Sequence, residues 1–124
     1  MDIKPGKIAL LRFPQVDLKE HKLRPVLLVT QAPGGYTDWL VVMVSSQLTQ
    51  AIPEFDEVIR KQDPDFPNSG PKKDSVIRVT RLAVVDQNLF IGAIGEISPE
   101  RLHRIRHRIA RWILEGTPDT PCYS

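Results

Sequence analysis

Only one stretch of this chain reads as a helix, and it comes last. Ser98-Pro99-Glu100 is a helix start: serine caps the first free amides, proline suits the first helical position, and glutamate favours the positive end of the dipole. Leu102, Ile105, Ile109 and Trp112 follow at spacings of three and four, and Gly116 with Pro118 ends the pattern. The spacing predicts a helix over about 99–114, followed by a short tail over 116–124. Everything before it is short and broken by turn signals. A helix with one apolar stripe must bury that stripe, and a small β structure is the only partner on offer.

The turn signals divide that partner into strands. Pro5-Gly6 opens a first strand over Lys7 to Phe13, which Pro14 stops, and Gln15 to Leu23 reads as a polar, charged loop. Val26 to Thr30 and Leu40 to Ser45 are continuous apolar runs around Pro33-Gly34-Gly35, the pattern of antiparallel neighbours buried on both faces. Leu48 to Lys73 holds Pro53, Pro64, Pro67 and Pro71, so it reads as a mobile loop with one edge strand near Glu57 to Arg60. Ser75 to Thr80, Leu82 to Val85 and Leu89 to Ile94 read as three further short strands, with Gly92 and Gly95 marking a bend or close approach. The expected fold class is mainly β with a C-terminal helix. It is a small barrel over about 5–97 capped by the helix, with residues 1–124 forming one domain.

With 124 residues, 41% of them hydrophobic, the chain has material for one core. Lys+Arg 17 against Asp+Glu 15 leaves a formal charge of +2, so overall charge argues for no particular partner and its distribution must decide. Cys122 is the single cysteine, which excludes an intramolecular disulfide framework and any multi-cysteine zinc site. No cofactor or metal is expected. No apolar run approaches the roughly 18 residues of a membrane span, and the opening Met1-Asp2-Ile3-Lys4 is no leader, so the expected location is the reducing cytoplasm.

Arg24 stands out within Lys22-Leu23-Arg24-Pro25. Pro25 fixes its own φ and pushes Arg24 toward an extended backbone, which aims a guanidinium at the mouth of the following strand. That suits a phosphate, although a plain ion pair with Asp17 or Glu20 is the simpler use.

Three blocks of this sequence together resemble the MazF/PemK-type toxins, small endoribonucleases paired with an antitoxin. Pro5-Gly6-Lys7-Ile8, Arg12-Phe13-Pro14 and Asp17-Leu18, leading to Lys22-Leu23-Arg24-Pro25-Val26-Leu27, resemble the family's opening block. Val44-Ser45-Ser46-Gln47 is similar to its strand-end block, usually written I-T-S-Q. Lys73-Asp74-Ser75-Val76-Ile77-Arg78, then Leu82, Asp86 and Ile91-Gly92-Ala93-Ile94-Gly95-Glu96-Ile97-Ser98, resemble its closing strands. The resemblance implies an SH3-like barrel, as in MazF, PemK and CcdB, that forms a homodimer. It implies single-stranded RNA cut in a groove near the dimer interface, and a cognate antitoxin that fills the groove. It also implies catalytic roles for Arg24 and Ser45, with Arg78 as a third member, and RNA contacts from the flanking Lys22, Ser46 and Gln47. Two positions depart from the pattern: Lys19 and Glu20 stand where many members have E-Q, and Arg78-Val79-Thr80 where some have R-x-D.

Metal-free RNA cleavage needs a base for the 2′-OH proton, an acid for the leaving oxygen and donors for the charged phosphorane. Arg24 and Arg78 are natural donors, and the Ser45 hydroxyl adds one without charge, so Arg24→Ala should abolish cutting and Ser45→Ala weaken it. The base is His21, Glu20 or Asp17, and spacing does not choose among them. Each residue also has a plainer use: Ser45 and Ser46 can satisfy strand-end backbone groups, and Arg78 can pair with Asp74, Asp86 or Glu96. The arginines of the helix, Arg101, Arg104, Arg106, Arg108 and Arg111, with His103 and His107, read as a solvated face that could also meet RNA or an acidic antitoxin. Trp112 reads as core, and Trp39 as core or interface. A noncatalytic module that binds RNA or protein remains open, as does a toxin that acts on a large protein such as a topoisomerase.

Overall fold

The apolar run Val26-Leu27-Leu28-Val29 forms the middle of a six-stranded antiparallel sheet, and it is buried on both sides. The computed structural model describes residues 2–14 and 21–118. Its strands are β1 (Lys7–Pro14), β2 (His21–Gln31), β3 (Asp38–Ser45), β4 (Glu57–Ile59), β5 (Ser75–Asp86) and β6 (Phe90–Glu96), in the spatial order β4-β5-β3-β2-β1-β6. Because side chains alternate along a strand, Leu27 and Val29 join one core cluster while Val26 and Leu28 join another on the opposite face. The first cluster includes Ile8, Ile77, Val79, Ile105 and Ile109; the second includes Leu11, Trp39, Val41 and Phe90.

The expected class, mainly β with a C-terminal helix, is the observed one. The barrel is a loose one, since the sheet does not close and β4 and β6 remain its edges. Beside β6 packs a one-turn helix, α1 (Phe66–Ser69), from the segment between β4 and β5. The fit is backbone to backbone: a Cβ on Gly95 would lie 2.3 Å from the Ser69 carbonyl carbon, and one on Gly70 2.5 Å from the Ile94 carbonyl oxygen. Gly95 thus marks the close approach its sequence position suggested.

Two expected strands, Ser75 to Thr80 and Leu82 to Val85, are one. In β5, Arg78 pairs with Met43 and Leu82 with the adjacent Val42, so Val79, Thr80 and Arg81 are accommodated as a bulge. The bulge leaves the buried Val79 amide without a ladder partner, and Asp56 supplies one: Val79 N–H donates to its Oδ1 at 2.9 Å. A sequence with strand propensity on both sides of Arg81 carries no local sign that the chain continues through it.

The terminal helix α2 (Pro99–Glu115) begins as read, with the Ser98 hydroxyl accepting from the Arg101 amide at 3.2 Å. Ile105 and Ile109 enter the core and Leu102 packs against it, but Trp112 is only half-buried. Trp39, by contrast, is core, its indole N–H donating to Gln87 at 3.4 Å.

The basic run of α2 is exposed at His103, Arg104, Arg106, His107 and Arg111, as a solvated face would be, but Arg101 departs from it. Arg101 is 6% exposed, and its guanidinium donates to Asp65 at 2.8 Å, Glu57 at 3.0 Å and Asp63 at 3.0 Å. Glu57 also takes Arg104 at 3.1 Å and Arg108 at 2.9 Å, while Arg106 donates to the Val29 carbonyl at 2.7 Å. Burial works to raise the Asp65 carboxyl, but the bonds from Arg101 and from the Ser98 amide outweigh it and hold the group below its ordinary value. Burial works to lower the Arg101 guanidinium, and its carboxylates, Asp65 foremost, raise it above its usual range. The segment expected to be mobile is therefore bolted to the helix at Glu57, Asp63 and Asp65.

Candidate functional site

Proline decides where the site opens. Pro25 has no N–H to give, and the β2–β3 ladder runs only from Val26 and Met43 to Gln31 and Trp39. Beyond it β2 pairs with β1 alone, through Pro25 with Leu10 and Arg24 with Leu11, while Val44 and Ser45 of β3 pair with β5 alone. Two adjoining recesses lie along these strand ends, about 480 and 580 Å³ in volume, and both are lined by Arg24, Val44, Ser45 and Gln47.

Arg24 is not at the mouth of a strand, as its sequence suggests, but the fourth residue of one: β2 starts at His21, in what reads as a loop. Pairing with β1 recruits these polar residues, which have no strand pattern of their own. Arg24 is exposed on one lip of the groove. On the other, Ser45 Oγ accepts from the Gln47 amide at 3.0 Å, fixing the turn after β3 and leaving the hydroxyl proton free to donate. Ser45 thus has its plainer use and keeps a chemical one.

Arg78 reaches the same groove from β5. It makes a long bond of 3.4 Å to Gln50 and leaves its Nε buried without a partner among the described residues. None of Asp74, Asp86 and Glu96 pairs with it: Asp74 accepts from the Lys61 amide at 2.8 Å and faces Arg60, Asp86 caps the turn at Asn88, and Glu96 takes Lys4 and Lys7. Ser46 and Gln47 also line the groove. His21 and Lys22 have described backbone only, and Asp17 and Glu20 lie outside the described residues.

Arg81, Lys72 and Lys73 also line the groove, and sequence reading missed them. Arg81 falls on the bulge, whose position no local pattern betrays; the Lys72-Lys73 pair just before β5 was a usable signal. The groove therefore gathers Arg24, Lys72, Lys73, Arg78 and Arg81, with no carboxylate or imidazole among its described lining residues. In a chain of formal charge +2, that is a strong local concentration of cation. Among the described residues, no group of three or more His, Cys, Asp or Glu side chains is placed to hold a metal, and no helix is long and apolar enough to cross a membrane.

An antiparallel sheet backed by a C-terminal helix, with a cation-lined groove at its strand ends, defines a small, loosely formed SH3-like barrel. Residues 4–113 match the model of the PemK-like, MazF-like toxins of type II toxin-antitoxin systems, and the chain belongs to this family. Among curated proteins, none matches it significantly by sequence.

Solved structures share the fold at low identity. A MazE–MazF complex from Deinococcus radiodurans superposes with a TM-score of 0.70 at 17% identity, over 92% of this chain and 97% of that one. An endoribonuclease in complex with its cognate antitoxin, from a mycobacterial species, gives 0.66 at 12%, over 94% and 100%. The Mycobacterium tuberculosis toxin MazF-mt6 gives 0.63 at 16%, over 86% and 95%.

Proposed function

We propose that this toxin is an endoribonuclease that cuts single-stranded RNA without a metal, and that a cognate antitoxin occupies its groove until release. The observation that carries the reading is the meeting of Arg24, Ser45 and Arg78, from three different strands, in one groove whose described lining has no negative charge. In-line attack by the 2′-oxygen on the adjacent phosphorus builds charge on the phosphoryl oxygens. Two guanidinium forks and a hydroxyl proton are matched to that charge. The 2′-OH proton goes to His21, Glu20 or Asp17, all in the segment that enters Arg24, and the leaving 5′-oxygen takes its proton from a water in the open groove. Solved relatives named as an endoribonuclease with its antitoxin and as a MazE–MazF complex support both activity and partner. Exposed Val84, Leu89 and Ile91 give a homodimer apolar surface to bury, and the cytoplasm is where RNA and antitoxin are met.

A noncatalytic RNA-binding relative is the second reading, favoured by the lack of a proton acceptor among the described groove residues. Purified protein is incubated with a long unstructured RNA in EDTA. The expected outcome is cleavage leaving 5′-hydroxyl ends, with Arg24→Ala slower by about 10²–10³-fold, the usual cost of one oxyanion donor. Undiminished cutting by Arg24→Ala sinks the site assignment, and tight binding without cutting selects the second reading. Cutting that requires added magnesium removes metal independence.

A further inference from the structure

The two recesses extend beyond the Arg24–Ser45 pair they share. From Arg24 and Ser45 one runs to Arg78 and Arg81, and the other runs to Lys72 and Lys73 over an apolar floor of Leu23, Pro25 and Ile94. The lysine side is a fixed wall. Its loop follows Gly70, which together with Gly95 lets the α1 segment press backbone to backbone on β6, and Ser69 beneath it is fully buried with its hydroxyl donating to the Phe66 carbonyl at 2.7 Å. The adjacent acid is turned away, because Asp74 is held by the Lys61 amide and Arg60. Lys72 and Lys73 make no ion pair among the described residues.

We infer that Lys72 and Lys73 form a second phosphate subsite, which holds the backbone of a nucleotide next to the scissile one while its base lies on Leu23 and Ile94. The inference rests on the RNA reading above and sharpens its substrate: an extended single strand held at three places, by Arg78 with Arg81, by Arg24 with Ser45, and by the two lysines. A hydrated, compact ammonium suits this flanking role, where a phosphate needs attraction without forked orientation. An apolar shelf accepts any base face, so the subsite tracks the strand and adds length dependence.

The test uses uncleavable 2′-deoxy oligonucleotides, a dinucleotide and a heptanucleotide, titrated against wild type, Lys72→Gln/Lys73→Gln and Arg24→Ala between 50 and 200 mM salt. For single strands each phosphate contact contributes about 0.7 to the salt slope, so the double variant, which loses this one contact, should lose about 0.7 of slope and about tenfold in heptanucleotide affinity at low salt. Its dinucleotide affinity and thermal midpoint should match the wild type. Unchanged slope and heptanucleotide affinity in the folded double variant overturn the subsite while leaving the RNA reading intact. Wild type that binds neither oligonucleotide, or binds both equally to Arg24→Ala, overturns the RNA reading and the subsite with it. Cleavage rates of long RNA give an independent arm: KM should rise in the double variant with kcat held, and a fall in kcat alone contradicts a flanking role.

Discussion

Two sets of arginines lie on opposite flanks of this sheet and have opposite fates. Four of the five in α2 are spent on structure: Arg101 meets three carboxylates, Arg104 and Arg108 share Glu57, and Arg106 takes a backbone oxygen, while the exposed Arg111 only pairs with Glu115 one turn on. Those of the groove, Arg24, Arg78 and Arg81, meet no carboxylate among the described residues, and the nearby acids are engaged elsewhere. A count of basic residues cannot separate the two sets. What separates them is where the acids of the Leu48–Lys73 segment come to rest, because each carboxylate bound to α2 is one withheld from the groove.

The sharpest way to break this contrast is to cut the helix set at its centre. Arg101→Met removes the one group that neutralises Asp65, Glu57 and Asp63 together, and stranding a buried partner costs about 3–5 kcal/mol. Against a total stability of about 5–15 kcal/mol, the variant should show a large fall in its urea midpoint. A change below about 1 kcal/mol would mean the network is solvated and the contrast is false. Arg24→Ala should do the reverse. It relieves repulsion in the groove, so stability should stay within about 0.5 kcal/mol while cleavage is lost, the signature of a residue kept for function.

That a helix arginine is the structural one was half legible. Arg101 sits four residues before Ile105 and eight before Ile109, on the apolar stripe, and an arginine on a stripe needs buried carboxylates. Glu57, Asp63 and Asp65 were visible too, but in a proline-rich loop whose path no pattern gives. The strands of the centre were legible because β-branched runs bounded by glycine and proline leave few alternatives. Strand β2 reaching back to His21 and β5 running through Arg81 were not, since both depend on a partner strand rather than on their own residues. At the site, Arg24 was legible through Pro25 and the Lys72-Lys73 pair through its place just before β5, whereas Arg81 enters through the bulge, which no local pattern gives.

Acid offers a smaller perturbation with a definite sign. The Asp65 carboxyl titrates below its ordinary value in the folded protein, so the unfolded chain binds that proton first as pH falls. Its contribution is complete above the unfolded value of about 3.9 and is lost as pH drops toward the lower folded one. Urea midpoints measured from pH 6 to 3 should fall below about pH 4, and Asp65→Asn should flatten that part of the curve. Parallel curves for the two proteins would show that Asp65 is not the linked group.

The smallest expected effect tests the contrast most directly, because it asks whether a half-exposed helix arginine can still serve as a free cation. Arg104 points one edge to solvent, yet its guanidinium is 3.1 Å from Glu57, which Arg101 and Arg108 also share. Arg101, Arg104 and Arg108 are balanced by Glu57, Asp63 and Asp65, yet Arg104 is half-exposed, and proximity alone would allow its charge to attract RNA. Screening argues otherwise: at physiological salt the Debye length is about 8 Å, so a strand lying in the groove feels the cations that line it and little from others. Arg104→Gln should therefore change RNA affinity by less than about twofold and leave the salt slope unchanged, with a stability cost of about 0–1 kcal/mol for a partly solvated pair. A slope reduced by about 0.7 would place a phosphate on α2 and merge the two sets into one continuous binding surface.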